Sequence, residues 1–229
     1  KMEIVTGMAP EGKLLLNGDD RLLRNLDVQP KQQITYFGCS EGCQVRGMHP
    51  VQGELLSFRV AAENADFLAE LALEGQHFVN DALAAVAVGL ALDVPQETMK
   101  MQLASFRNMA GRQEIFEANG VTIIKDCYNA GPESMAAALN VLGNRKGRRI
   151  AVLGDMLERG SCTQAEHYKV GRLAAQKADM VFAYGPNADR VVSGALTGGM
   201  EEKCAWCFDN QETMAAALKR AVKPGDVLL

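Results

Sequence analysis

From Val121 onward, short apolar runs alternate with helical stretches, and that alternation constrains the fold more than any other feature of the chain. Val121 to Lys125 reads as a strand, Pro132 to Leu142 as a helix, Arg149 to Leu153 as a strand and Gln164 to Lys177 as a helix. The same rhythm continues through a strand (Met180 to Tyr184), a short helix (Ala188 to Ala195), a strand (Ala205 to Phe208) and a helix (Glu212 to Ala221), ending in the strand-like Asp226-Val227-Leu228-Leu229. Strands that alternate with helices predict a mostly parallel, Rossmann-like sheet, an α/β fold. Just ahead, Gln113 to Ala118 and Val121 to Lys125 flank Asn119-Gly120. Asn-Gly between two such runs is a strong hairpin signal.

The first 75 residues look strand-rich instead. Leu14-Leu15-Leu16 ends in the turn cluster Asn17-Gly18-Asp19-Asp20, and Ile34 to Gly38 is a second candidate strand. Glu54 to Val60 and Phe67 to Leu73 alternate apolar and polar residues, as half-buried strands do. Two helices are expected next, from about Phe78 to Leu92 and from about Pro95 to Phe106, with Pro95 suited to a first helical turn. The pattern resets near Met109-Ala110-Gly111-Arg112, which sets expected domains at 1–110 and 111–229.

Composition narrows the class. With 48% hydrophobic and 23% charged residues the chain is ordinary globular material. A formal charge of -4 leaves no basic footprint for nucleic acid. No run approaches the roughly 18 apolar residues of a membrane span, and no signal-peptide pattern precedes the first strand, so a cytoplasmic protein without membrane insertion is expected. Cys39/Cys43 and Cys204/Cys207 are close pairs, but ~160 residues part them, far beyond zinc-site spacing; reduced, partly buried thiols are expected.

Chemistry concentrates at a few junctions. Asp126-Cys127-Tyr128-Asn129-Ala130-Gly131-Pro132-Glu133-Ser134-Met135 lies where a strand ends and a helix begins. Ligands of open α/β sheets collect outside the carboxyl ends of strands, and a helix start there offers free N–H groups to an anion. An ordinary turn would use the same residue types. Gly154-Asp155-Met156-Leu157-Glu158-Arg159-Gly160 occupies the equivalent place after Leu153, either as a solvated loop or as a second set of site carboxylates. Arg112 could reach a phosphate from the domain junction or sit solvated. Gly75-Gln76-His77-Phe78-Val79-Asn80-Asp81 fits a capped helix start, or polar side chains offered to a ligand. His167, alone on a helix, most simply reads as structural. No Gly-x-x-x-x-Gly-Lys-Ser/Thr loop and no G-x-G-x-x-G is present.

Taken in order, the blocks at 75–85, 111–112, 126–135 and 154–160, followed by His167, resemble the Mur ligase family. The Tyr-Asn-Ala and Gly-Asp-Met wording resembles its MurF type, which adds D-alanyl-D-alanine to UDP-N-acetylmuramoyl-tripeptide through an acyl phosphate, using ATP and Mg2+. The resemblance implies the back part of a central ATPase domain followed by a Rossmann-like C-terminal domain cut short at its end. The phosphate loop would lie outside this chain, so the 229 residues alone are expected to be inactive. It implies that Asp126 binds the ATP ribose, that Arg112 acts catalytically on the phosphates, and that Asn129 lines the nucleotide or dipeptide side of its loop. His77, Asn80 and Asp81 would face adenine; Asp81 stands where the family usually carries Asn, and Asn80 is the neighbouring amide. Tyr128, Ser134, Asp155, Glu158 and His167 fall on the substrate side. Lys1 corresponds in spacing to a family lysine that becomes carbamylated and helps to hold magnesium. A monomer is expected. A folylpolyglutamate- or cyanophycin-type ligase, or a non-catalytic nucleotide-binding module, are the alternatives.

Overall fold

The computed structural model describes residues 2–25 and 32–229. Lys1 lies outside the described residues. The chain divides between Arg107 and Asn108 into two compact units.

The first unit contains β1 (Lys13–Asn17), α1 (Arg21–Arg24), β2 (Gln33–Gly38), β3 (Val45–Gln52), β4 (Leu56–Ala62), β5 (Ala65–Leu71), α2 (Phe78–Ala91) and α3 (Gln96–Ser105). Its sheet runs β1-β2-β3-β4-β5. The β1–β2 and β2–β3 pairs are parallel, whereas β3–β4 and β4–β5 are antiparallel. β4 begins two residues later than expected and β5 two residues earlier. Because side chains alternate with a period of two, an even shift keeps the same set inward. Leu56, Phe58 and Val60 are fully buried and pack with Phe67, Ala69 and Leu71 against Val79, Leu83 and Val86 of α2.

β3 is the strand that periodicity misses. Its sequence, Val45-Arg46-Gly47-Met48-His49-Pro50-Val51-Gln52, contains a proline, which has no N–H for a ladder. The chain accommodates it with an irregularity: register with β4 shifts between Met48 and Val51, and His49 takes a φ of 53°. Such a bulge is where a strand tolerates proline.

The second unit contains β6 (Glu114–Ala118), β7 (Val121–Lys125), α4 (Pro132–Gly143), β8 (Arg149–Leu153), α5 (Thr163–Lys177), β9 (Met180–Tyr184), α6 (Ala188–Thr197), β10 (Ala205–Phe208), α7 (Gln211–Ala221) and β11 (Val227–Leu228). The expected elements are all present, with ends displaced by no more than two residues. Asn119 and Gly120, with φ of 52° and 76°, make the two-residue turn that pairs Ala118 with Val121. Both positions need positive φ, hence Asn-Gly.

The six strands order as β10-β9-β8-β11-β7-β6, parallel apart from the β6 edge. β11 enters between β7 and β8: Val227 pairs with Thr122 on one side and Arg149 on the other. Alternation along β8 divides two cores. Ala151 and Leu153 pack with residues of α4, α5 and α6, whereas Ile150 and Val152 pack with Met214, Ala217 and Leu218 of α7. α5 and α6 approach backbone to backbone. A Cβ on Gly171 would fall 1.9 Å from the Val191 carbonyl oxygen, and one on Gly194 2.1 Å from that of Tyr168. Glycine is therefore required at both crossing points.

The thiols differ in part from expectation. Cys39, Cys43 and Cys204 are half-buried, but Cys127, Cys162 and Cys207 are exposed on loops or an edge strand. Among the described residues no helix is long and apolar enough to cross a membrane.

Candidate functional site

Within the second unit a crevice of about 650 Å³ opens at the carboxyl ends of β7, β8, β9 and β11. That size lies within the range of small-molecule sites. The β7–α4 loop contributes Asp126, Tyr128 and Asn129, and α4 contributes Ser134; the β8–α5 loop contributes Asp155 and Leu157. Five of the residues singled out from sequence thus meet in one cavity.

The β7–α4 loop is fastened to the segment before β6. The N–H groups of Cys127 and Tyr128 both donate to the Gly111 carbonyl, at 3.0 and 3.1 Å. The neighbouring Arg112 lays its guanidinium over the Tyr128 ring, 4.2 Å from the centroid. Arg112 is exposed and Tyr128 is 69% exposed, so this cation–π contact holds both groups at the surface. Asp126 is half-buried at the end of β7. Asn129 Oδ1 accepts from the Ala130 N–H at 3.0 Å. The Gly131 N–H donates to Ser134 Oγ at 3.0 Å, which closes the first turn of α4 around Pro132.

The β8–α5 loop is held differently. His167 is fully buried. Its Nε2 accepts from the Met156 N–H at 2.9 Å, and its Nδ1 lies 2.7 Å from the Thr163 carbonyl, so the ring is the Nδ1–H tautomer. Both nitrogens are engaged. This ring supports the loop from beneath. Asp155 lines the crevice, yet its two oxygens accept from the backbone and side-chain N–H groups of Asn187, at 3.1 and 2.7 Å. Glu158 is exposed with a φ of 59° and does not line the crevice. After it, Arg159 and Glu166 form a two-bond ion pair at 2.6 and 3.1 Å, and the guanidinium lowers the Glu166 carboxyl from its ordinary value.

Three crevice residues had escaped sequence reading. Tyr184 ends β9, and its hydroxyl accepts from Gln211 Nε2 at 3.0 Å. Leu157 lies beside Asp155. The position of Tyr184 at a strand's carboxyl end was a usable signal; Gln211 and Leu157 carried none.

A separate constellation lies in the first unit, at the carboxyl ends of the parallel strands β1 and β2. Asp19 accepts from the N–H groups of Cys39 and Ser40, each at 2.8 Å. Burial raises its pKa, but these bonds, the Ser40 hydroxyl and the Asn80 side chain outweigh it and leave the carboxyl below its ordinary value. Asn80 Oδ1 is buried without a hydrogen-bond partner. His77 sits at the N-cap of α2 with its ring against Phe78, centroids 4.1 Å apart. Asp81 is exposed in the first turn. Among the described residues no group of three or more His, Cys, Asp or Glu side chains could hold a metal ion.

Residues 111–229 match the family model described as Mur ligase, glutamate ligase domain. The chain belongs to the Mur ligase family. It is 31% identical over 235 residues to the UDP-N-acetylmuramoyl-tripeptide--D-alanyl-D-alanine ligase of Bacillus subtilis, covering all of this chain and 50% of that protein. The crystal structure of MurF from Acinetobacter baumannii superposes with a TM-score of 0.85 at 27% identity, over all of this chain and 50% of that one. MurF from Thermotoga maritima in complex with ADP gives 0.82 at 25% identity, over all of this chain and 51% of that one. The chain thus spans about half the length of these relatives.

Proposed function

We propose that this chain is part of an ATP-dependent Mur ligase that joins D-alanyl-D-alanine to UDP-N-acetylmuramoyl-tripeptide. The observation that carries the reading is the crevice in which Asp126, Tyr128 and Asn129 meet, with Arg112 over the Tyr128 ring. The related MurF structure holding ADP supports a nucleotide as the ligand class.

In this reading the Asp126 carboxylate accepts hydrogen bonds from the ribose hydroxyls. Arg112, held at the surface by Tyr128, directs its N–H groups to phosphate oxygens, where a fixed cation offsets charge that grows during transfer. Asn129 lines the nucleotide or dipeptide side of the same loop, and Ser134 falls on the substrate side. The roles of His77, Asn80 and Asp81 of the first unit are carried by the family resemblance alone. ATP supplies the phosphoryl group that converts the tripeptide carboxylate to an acyl phosphate, from which the dipeptide amine displaces phosphate as the C–N bond forms. Magnesium, and with it the role of Lys1, is carried by the family resemblance alone.

The deciding experiment uses the full-length gene product with ATP, UDP-N-acetylmuramoyl-tripeptide and D-alanyl-D-alanine. ADP release that depends on the dipeptide, together with the ligated pentapeptide product, is expected. Turnover only with a folate- or cyanophycin-type acceptor, or nucleotide binding with no turnover, would replace this reading with another.

A further inference from the structure

Among the described large apolar residues that are exposed, Tyr128 and Leu157 alone line the crevice. Scattered exposed leucines are ordinary on any protein surface. Leu157 differs in the way its loop is built. Met156 before it is buried, only 2% exposed, and its N–H is bonded to the buried His167. Asp155 before that is bonded twice to Asn187 at the start of α6. Arg159, two residues after Leu157, is paired with Glu166 of α5. The loop is fixed on both sides, which sets the backbone position of Leu157 at the crevice. It stands 73% exposed over a cavity whose other walls include Met135, Ala138 and Ala215.

We propose that Leu157 is a specificity-determining residue, whose side chain packs against a methyl group of the alanyl dipeptide acceptor. The inference rests on the acceptor assigned under the proposed function. The chemistry is that of a short apolar side chain flanked by charged ends. The charged ends need polar partners, and Lys125, Asn129 and Gln211 line the crevice; the methyl needs an apolar wall, and Leu157 is the exposed aliphatic group at that place. Asp155 and His167 then act as positioning residues for Leu157 and do not touch the acceptor.

The test compares the full-length ligase with Leu157→Ala and Leu157→Met variants. Acceptors are D-alanyl-D-alanine and its two single-methyl deletions, glycyl-D-alanine and D-alanylglycine. One missing methyl in an apolar pocket is worth roughly tenfold or more in kcat/KM. The wild type should show that preference against at least one analogue. Leu157→Ala should abolish most of it, mainly by raising KM for D-alanyl-D-alanine, while Leu157→Met restores it. The exposure of Leu157 means that the substitutions leave the core intact. An Ala variant that discriminates as the wild type does, or one that raises KM for ATP and not for the dipeptide, would overturn the role of Leu157 while leaving the ligase reading in place. A wild type that does not use D-alanyl-D-alanine at all would overturn both.

Discussion

The guanidinium of Arg112 rests 4.2 Å from the centre of the Tyr128 ring, and the backbone of the adjoining Gly111 binds the Tyr128 amide. The segment that enters the second unit is therefore registered against the loop that carries Asp126. Arg112→Ala in the full-length protein is expected to reduce ATP-dependent ligation sharply, whereas Tyr128→Ala should weaken it less, by releasing the arginine. The contact itself, exposed as it is, is worth about 0.5–1 kcal/mol. A double-mutant cycle on unfolding of the second unit, followed by fluorescence of the single tryptophan, Trp206, would measure it. Wild-type turnover in Arg112→Ala would remove the arginine from the site.

Asp126→Ala should raise the KM for ATP by about 10- to 100-fold, the scale of a lost charge-assisted hydrogen bond pair. The KM for dipeptide should move much less. Steady-state kinetics with each substrate varied in turn separates the two. Equal effects on both would place Asp126 outside the ribose contact.

His167→Ala leaves the Met156 N–H without its acceptor in a buried place, at a cost of about 1–3 kcal/mol. Hydrogen exchange at the Met156 amide reports this directly. Slow exchange is expected in the wild type and fast exchange in the variant, while exchange in the first unit stays as it was. Unaltered protection at Met156 would show that another group takes over the acceptor role.

Arg148 and Asp226 tie the start of β8 to the turn before β11. Asp226 is buried and accepts from Arg148 Nε and Nη2 at 2.9 and 2.6 Å and from the Lys223 N–H at 2.7 Å. The Arg148 guanidinium, opposed by burial, holds the carboxyl below its ordinary value of 3.8. A carboxyl depressed on folding stabilises above its unfolded-state pKa and loses that contribution as pH falls through the folded one. The second unit should therefore be steady at neutral pH and weaken progressively below pH 3.8. Asp226→Asn should lower its stability at pH 7 by about 1–3 kcal/mol and make the acid limb shallower. Asp179, also depressed, by Arg149, keeps part of that limb. Denaturant titrations of Trp206 emission at several pH values provide the check, and an identical acid limb in the variant would exclude Asp226 as a source.

The second unit was legible because its strands are short apolar runs such as Ile150 to Leu153, which alternate with longer helical stretches such as α5, and because Asn119-Gly120 fixes the hairpin. β3 was hidden because Gly47 and Pro50 break the pattern, and its pairing is supplied by β2 and β4 from either side. Site residues showed where they stood in recognisable blocks at strand ends, as Asp126 and Asn129 do. Gln211 stayed invisible because it comes from α7 and meets the others only once the sheet has assembled. The division of labour between Asp155, His167 and Leu157 was equally hidden. Which of three neighbours is bonded inward and which faces out depends on contacts with Asn187 and Met156 that no spacing encodes.

The placement of β11 has a consequence for synthesis. β11 occupies an inner lane of the sheet, between β7 and β8, which are translated far earlier. A nascent chain halted before Val227 leaves a gap there, with the ladder groups of both neighbours unpaired. The β6–β7 hairpin can complete the sheet only after β11 has emerged, so the crevice forms late in the synthesis of this unit.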